Sequence, residues 1–91
     1  MSPDSFIGSI GTFAGDYAPE GWADCNGQVL PVSQYQALYA LIGTRYGGDS
    51  KGTNFHVPDL RPEVDGVKVD WRQVNQPRKC IALVGDWPNR P

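Results

Sequence analysis

The sequence predicts an α+β fold: a small, loop-rich single domain of short, mostly antiparallel strands with one helix over about residues 34–42. Three observations support this prediction. The chain has 91 residues, the size of one domain. Its 11 glycines and 8 prolines divide the apolar residues into short runs. The stretch at residues 34–42 has apolar residues at helical spacing, whereas the other ordered segments are expected to be strands.

Three strands are predicted before the helix. Residues 6–13 form the first, with two glycines that indicate a bulge or a close backbone approach. Residues 22–25 and 28–30 are short β-prone runs on either side of the dipeptide Asn26-Gly27. A type I′ turn requires positive φ at both central residues, and Asn-Gly meets this requirement readily. The two runs are therefore predicted to form a β-hairpin.

The helix has the clearest local signals. Ser33 is expected to cap its N-terminus, and Gln36, three residues later, completes a capping box. Gly43 stands where a residue with positive φ ends a helix. The apolar face consists of Leu38, Leu41 and Ile42, together with Tyr35 and Tyr39.

Three further strands are predicted after the helix. Residues 55–57 form a short strand that Pro58 stops. Residues 67–71 alternate between apolar and polar side chains, as in a half-buried strand, and Asp65-Gly66 before them favours a tight turn. Residues 79–84 form an apolar run that is predicted to be a central strand.

The charge balance excludes two classes of function. With 8 Lys and Arg against 10 Asp and Glu, the net charge is −2. Proteins that coat nucleic acids or anionic membranes need a strong basic excess, so neither partner is expected.

The N-terminus carries no signal-peptide pattern, and no apolar run approaches the ~20 residues of a membrane span. We therefore expect a soluble chain that is made in the cytoplasm and not inserted into a membrane.

Few residues offer catalytic or metal-binding chemistry. Cys25 and Cys80 are expected to be buried free thiols, with a disulfide between them as the alternative. His56 is the one histidine, and with Cys25 and Asp59 it supplies the residue types of a nucleophilic site. The sequence shows no oxyanion loop and no ligand spacing around it, so a structural histidine is the expectation. We predict no enzyme activity, no cofactor and no metal.

Glycines, prolines and aromatic residues follow a specific order over residues 5–61. The runs are Phe6-Ile-Gly-Ser-Ile-Gly-Thr-Phe-Ala-Gly15, Gly21-Trp22-Ala23, Cys25-Asn26-Gly27-Gln28, Tyr46-Gly-Gly-Asp49 and Val57-Pro-Asp-Leu-Arg61. This order and spacing resemble the phage tail collar domain family, most closely its microcystin-dependent-protein branch. The closing strand and tail, residues 79–91, resemble the end of the same branch.

The segment between these regions departs from the family pattern. Family members usually have a glycine after the Asp-Leu-Arg turn, followed by a long Gly-rich stretch. Here Pro62 stands in that position, and a short variable bridge, residues 62–78, leads to the closing strand. The chain therefore resembles a compact form that lacks the long distal region, and residues 1–91 are expected to form one domain.

The resemblance implies a virion structural protein without enzyme activity. It would be a small collar- or fibre-type subunit in the phage tail that assembles as a homotrimer and connects or decorates other tail parts. The alternatives are a module that binds a host-surface glycan or protein, and an accessory protein on a borrowed collar scaffold. Large aromatic residues, the charges of the Asp-Leu-Arg turn and one arginine of the tail are the candidate contacts with partners. These residues are Tyr17, Tyr46, Asp59, Arg61, Trp71, Trp87 and Arg90. For Trp71 and Trp87, the core, a subunit interface and a receptor-facing surface are all left open as positions.

Overall fold

The computed structural model describes residues 6–87. Within them, short strands and one α-helix form a compact α+β domain, which confirms the predicted fold class. The strands are β1 (Ile10–Phe13), β2 (Trp22–Asp24), β3 (Val29–Pro31), β4 (Asn54–His56), β5 (Glu63–Val64), β6 (Val67–Lys68) and β7 (Arg78–Ala82). The helix α1 spans Gln36–Ile42, and a 3₁₀-helix spans Trp71–Val74.

The main sheet has the strand order β1-β7-β2 and is antiparallel throughout. Ile81 of β7 faces Ile10 on one side and Ala23 on the other. The C-terminal strand therefore lies between two strands from the N-terminal part of the chain. This placement confirms the prediction of a central strand near residue 80, although β7 ends at Ala82.

The predicted hairpin at Asn26-Gly27 is wrong. β2 pairs with β7, whereas β3 pairs with β4 in a separate two-stranded sheet. Gly27 has the expected positive φ of 78°, but Asn26 does not have a positive φ and instead forms an isolated bridge with Asp59. The segment therefore carries the chain from one sheet to the other. Burial of Leu30 against its partner Phe55 selects this pairing over the local turn.

The helix is present, but its predicted cap is wrong. It begins at Gln36 after an N-cap at Tyr35 that makes no side-chain capping bond. The capping box of Ser33 and Gln36 does not form, because a backbone turn precedes the helix and Tyr35 N–H donates to the Val32 carbonyl at 3.1 Å. Gly43 has the expected positive φ, 56°, and its N–H donates to the Tyr39 carbonyl at 2.7 Å.

The strand predicted over 67–71 is shorter than expected. Only Val67–Lys68 pairs, with Glu63–Val64, around a turn in which Asp65 and Gly66 both have positive φ. The prediction of this turn is confirmed. Trp71 instead begins the 3₁₀-helix, because Asp70 accepts a bond from Arg72 N–H and Gln73 reaches back to the Asp70 N–H. This capping box ends the strand before Trp71.

The main core lies between one face of the main sheet, the β3–β4 sheet and α1. Leu38 of the helix and Phe55 of β4 have no exposed surface, and the ring of Tyr39 packs edge-on against Phe55 with 5.4 Å between centroids. The cluster consists of Ile7, Ala23, Cys25, Leu30, Leu38, Phe55, Val57 and Ile81.

A second, partly polar layer covers the opposite face of the main sheet. Its centre is Arg78, whose side chain is buried, with the residue only 5% exposed. The guanidinium donates to Asp24 Oδ2 at 2.6 Å, to the Gly15 carbonyl at 3.2 Å and to the Asp16 carbonyl at 2.7 Å. It also lies 5.7 Å from the centroid of the buried Trp71 ring. Arg78 thus joins β7, β2 and the β1–β2 loop.

Cys25 and Cys80 are both free and buried, as the sequence analysis expected. Burial, with a smaller contribution from Asp24, raises the pKa of the Cys25 thiol to about 11. Burial also raises the pKa of Cys80 to about 12, assisted by its contact with Asp24. Both side chains are therefore protonated thiols near neutral pH.

We predict that neither thiol reacts with Ellman's reagent in the native protein at about pH 8, since only an accessible thiolate attacks the reagent. Both should react once guanidinium unfolds the chain. Ser50→Cys, at an exposed position, is the matched control and should react at once in the native state. Rapid native reaction of two thiols per wild-type chain would contradict the buried placement.

Candidate functional site

The turn at Pro58–Arg61 holds two of the predicted site residues in direct contact. Arg61 Nε donates to Asp59 Oδ1 at 2.9 Å, and Arg61 Nη2 donates to Asp59 Oδ2 at 2.8 Å. The Arg61 backbone N–H also donates to Asp59 Oδ1 at 3.2 Å. This two-pronged arrangement is the strongest geometry available to an arginine–carboxylate pair. Pro58 precedes it and is buried, so the turn has a fixed starting direction.

Lys68 ties the β5–β6 hairpin to the same turn. Its Nζ donates to the carbonyls of Asp59 at 3.3 Å and Arg61 at 3.1 Å. On the other side, Leu60 N–H donates to the Cys25 carbonyl at 2.8 Å. The Asp-Leu-Arg turn therefore links the body of the domain to a hairpin whose strands pair only over two residues each.

Asp59 and Arg61 in this turn each stabilise the charged form of the other. Hydrogen bonds from Arg61 lower the pKa of Asp59 to about 2, against an opposing effect of burial. Asp59 also raises the pKa of Arg61. Both groups are therefore charged at neutral pH. Because the two charged groups are already paired with each other, their role is to stabilise the turn.

We predict that Asp59→Asn lowers the urea midpoint of unfolding near neutral pH. The difference in midpoint between the variant and the wild type should become smaller as the pH falls. The folded pKa of about 2 lies below the ordinary value of 3.8. A depressed pKa stabilises the folded state above the ordinary value, and this stabilisation is lost as the pH falls through the folded pKa. Urea titrations at several pH values between neutral and about 2 measure the effect. A constant difference between variant and wild type across that range would contradict the role of the carboxylate.

The predicted aromatic contacts lie on separate segments and differ in exposure. Tyr17, in the β1–β2 loop, is 79% exposed, Tyr46 after α1 is 47% exposed and Trp87 is 52% exposed. Trp71 is only 3% exposed and lies in the interior, one of the alternatives that the sequence leaves open for it. It is buried because the 3₁₀-helix turns its ring towards Arg78. Arg90 lies outside the described residues.

A further set of exposed apolar side chains lies on the two terminal segments of the described chain, and only Trp87 among them was predicted from the sequence as a contact residue. Residues 6–10 run beside the C-terminal segment: Phe6 bridges Asp86, Gly8 N–H donates to the Ala82 carbonyl at 2.9 Å, and Ile10 pairs with Ile81. The exposed large side chains on these paired terminal segments form what we call the terminal edge. Its members are Phe6, Ile10, Val84 and Trp87. An apolar residue in a strand is normally assigned to the core, so the sequence carried no signal for this exposure.

The residues with catalytic potential are engaged elsewhere. His56 Nδ1 is 2.8 Å from the Gly27 carbonyl, Asp59 is paired with Arg61, and Cys25 is buried as a protonated thiol. Among residues 6–87, no three His, Cys, Asp or Glu side chains group together as metal ligands. In the same range, no helix has the length and hydropathy that a membrane span requires.

The chain matches a known protein family. The family model of the Phage Tail Collar Domain matches residues 8–65, from the start of the strand region to the β5–β6 turn. No curated protein matches the chain. The collar domain is a structural domain of phage tails and not an enzyme family, so this protein is a phage tail structural protein. Because the match covers more than half of the residues, the chain belongs to the phage tail collar domain family.

Proposed function

We propose that the protein is a collar- or fibre-type subunit of the phage tail that assembles as a homotrimer and connects or decorates larger tail parts. The observation that carries this proposal is the terminal edge, defined above by Phe6, Ile10, Val84 and Trp87. The subunit resides in the virion after synthesis in the host cytoplasm. We also infer that residues 1–91 act as one domain, because β7 in the closing segment is held between β1 and β2.

The terminal edge adjoins a sheet edge that is suited to association. β1 is an outer strand of the main sheet and carries neither proline nor a charged residue. Such residues normally protect an open edge from pairing with another chain. Ile10, on this strand, is 48% exposed. Trp87 follows β7 in the sequence, and tryptophan is enriched at protein interfaces. A second copy that covers this edge would bury apolar surface that the single chain leaves in water.

The first experiment measures the mass of the native protein by light scattering after gel filtration at micromolar concentration. We expect a trimer, three times the chain mass of 10.0 kDa. Ile10→Lys should convert it to a monomer, because a lysine on an edge strand opposes pairing. Tyr17→Ala, an exposed aromatic substitution outside the terminal edge, is the matched control and should remain trimeric.

Circular dichroism distinguishes dissociation from unfolding in these variants. A folded wild-type monomer would contradict self-assembly, and a trimeric Ile10→Lys variant would contradict the role of the terminal edge. Mass spectrometry of purified particles tests the remaining part of the proposal. Absence of the protein from the particles would contradict a role in the virion.

A second candidate function is binding of a host-surface glycan or protein. The observation that favours it is Tyr17, the most exposed of the large hydrophobic side chains in residues 6–87. An exposed aromatic ring beside polar groups can stack on the apolar face of a ligand. The test is binding of isolated ligands to the purified protein, as set out below.

A further inference from the structure

An open cleft separates the β1–β2 loop from the segment that follows the 3₁₀-helix. Its volume is about 420 Å³, within the range of small-molecule sites. One wall is residues 14–16, and the other is formed by Arg72 and residues 75–77. Tyr17 directly follows the first wall and is largely exposed. Neither wall belongs to the Asp-Leu-Arg turn or to the terminal edge.

Hydrogen bonds hold both walls of the cleft in place. Arg78 donates to the carbonyls of Gly15 and Asp16, which fixes the loop that forms the first wall. The second wall begins at the capped 3₁₀-helix, and Gln76 N–H donates to the Trp71 carbonyl at 3.0 Å. Asn75 adopts the left-handed conformation there, with φ of 58°. A site whose walls are already ordered loses little entropy when a ligand binds.

The polar side chains of the cleft are mixed in charge. The ion pairs within residues 6–87 are Asp59–Arg61, Glu63–Lys68 and Asp24–Arg78. Asp16 and Arg72 therefore face the cleft without an ion-pair partner in that part of the chain. One carboxylate and one guanidinium give this cleft no net charge. Together with the amides of Asn75 and Gln76, they present donors and acceptors in similar number.

A second depression adjoins the first at Arg72. It has a volume of about 520 Å³ and is lined by Asp70, Arg72 and Gln73. Arg72 thus lies at the junction of two polar depressions. A ligand that extends through both would meet the guanidinium near its middle. This arrangement favours a short linear ligand over a compact single ring.

We infer that these two depressions bind a neutral saccharide of at least two sugar units. Sugar hydroxyls both donate and accept hydrogen bonds, which matches the Asp16 carboxylate, the Arg72 guanidinium and the amides of Asn75 and Gln76. Across both depressions the two carboxylates of Asp16 and Asp70 outnumber the one guanidinium, which disfavours an acidic ligand. The exposed ring of Tyr17 and the small apolar surfaces of Ala14 and Pro77 offer contacts to the C–H face of a sugar ring. The inference deepens the second function proposed above and is independent of the trimer.

The test uses the isotope-labelled full chain and a panel of neutral disaccharides of glucose, galactose, mannose and N-acetylglucosamine, with the corresponding monosaccharides. We expect at least one disaccharide to bind with millimolar or better affinity and to shift the amide resonances of residues 14–17 and 72–77. The monosaccharides should bind more weakly. Arg72→Ala should weaken binding about tenfold or more, the effect of losing a hydrogen bond to a charged group.

Arg45→Ala is the matched control, because Arg45 is exposed in the segment after α1 and outside both depressions. It should bind like the wild type. Shifts centred on Tyr46 or Trp87 would preserve surface binding as a function but overturn this site. The absence of shifts with the entire panel would overturn the inference, as would an undiminished affinity of Arg72→Ala. Tighter binding of an acidic disaccharide than of its neutral counterpart would overturn the neutral ligand class.

Discussion

Phe55→Ala is expected to remove about 3–5 kcal/mol from the free energy of unfolding, the usual cost of deleting a buried aromatic ring. Phe55 has no exposed surface, lies between β3 and the helix, and packs against Tyr39. Domains of this kind have a total stability of about 5–15 kcal/mol. The variant therefore loses a large share of the total stability. Urea titration followed by circular dichroism, at one fixed protein concentration, measures the loss.

Two control variants separate the cavity from a general effect of substitution. Phe55→Leu keeps most of the side-chain volume and should cost less than Phe55→Ala. Tyr17→Ala changes an exposed ring and should alter the stability by no more than about 0.5 kcal/mol. If Phe55→Ala unfolded at the same urea concentration as the wild type, the placement of the core around β4 would be wrong.

Arg78→Met is expected to destabilise the domain by about 3 kcal/mol, the lower end of the cost of removing one partner from a buried ion pair, because the Asp24 side chain is 24% exposed. Methionine retains much of the apolar stem, so the main loss is the guanidinium. Asp24 would then lack its cation, and the carbonyls of Gly15 and Asp16 would lose their donors. The urea midpoint should fall accordingly. The β1–β2 loop should also become more susceptible to proteolysis.

A double-mutant cycle identifies the source of this effect. Asp24→Asn combined with Arg78→Met removes the uncompensated carboxylate, so the pair of changes should cost less than the sum of the single changes. Arg45→Met, at an exposed position, is the control and should have little effect. Equal costs for Arg78→Met and Arg45→Met would contradict the buried network.

Local sequence signals predicted the elements whose determinants are close together in the chain. The helix follows from the spacing of Leu38, Leu41 and Ile42 and from the glycine after them. The turn at Asp65-Gly66 follows from residues that tolerate positive φ. The apolar run near residue 80 is buried on both faces, which is the pattern of a central strand. In each case the local preference agrees with the tertiary arrangement.

Where the prediction failed, a contact that the local pattern does not reveal outweighed the predicted one, at a distance in the first case and within the segment in the second. Asn26-Gly27 is a good hairpin dipeptide, but Leu30 gains more from burial against Phe55 in β4. Alternation over 67–71 placed Trp71 in a strand, although Asp70 and Gln73 form a capping box that begins a 3₁₀-helix.

The candidate sites were less predictable than the fold. The contact between Asp59 and Arg61 is local, and the sequence analysis named both residues. Arg78 was not singled out, because a charged residue at the start of a strand is usually exposed. Its burial depends on acceptors at Gly15, Asp16 and Asp24, all of which are more than 50 residues away in the sequence. Whether an apolar residue such as Ile10 faces solvent likewise depends on how the sheet is ordered.

The position of β7 between β1 and β2 also determines the order of events during synthesis. β1 and β2 are made early, but they form no ladder with each other and both need residues 78–82 as their partner. While the ribosome is still making the bridge, the nascent chain carries two short strands whose hydrogen-bonding groups await that partner. Contacts between residues so far apart in sequence form slowly, because the intervening chain must first be closed into a loop. Until β7 emerges, the growing polypeptide therefore depends on the helix and the β3–β4 pair for its residual structure.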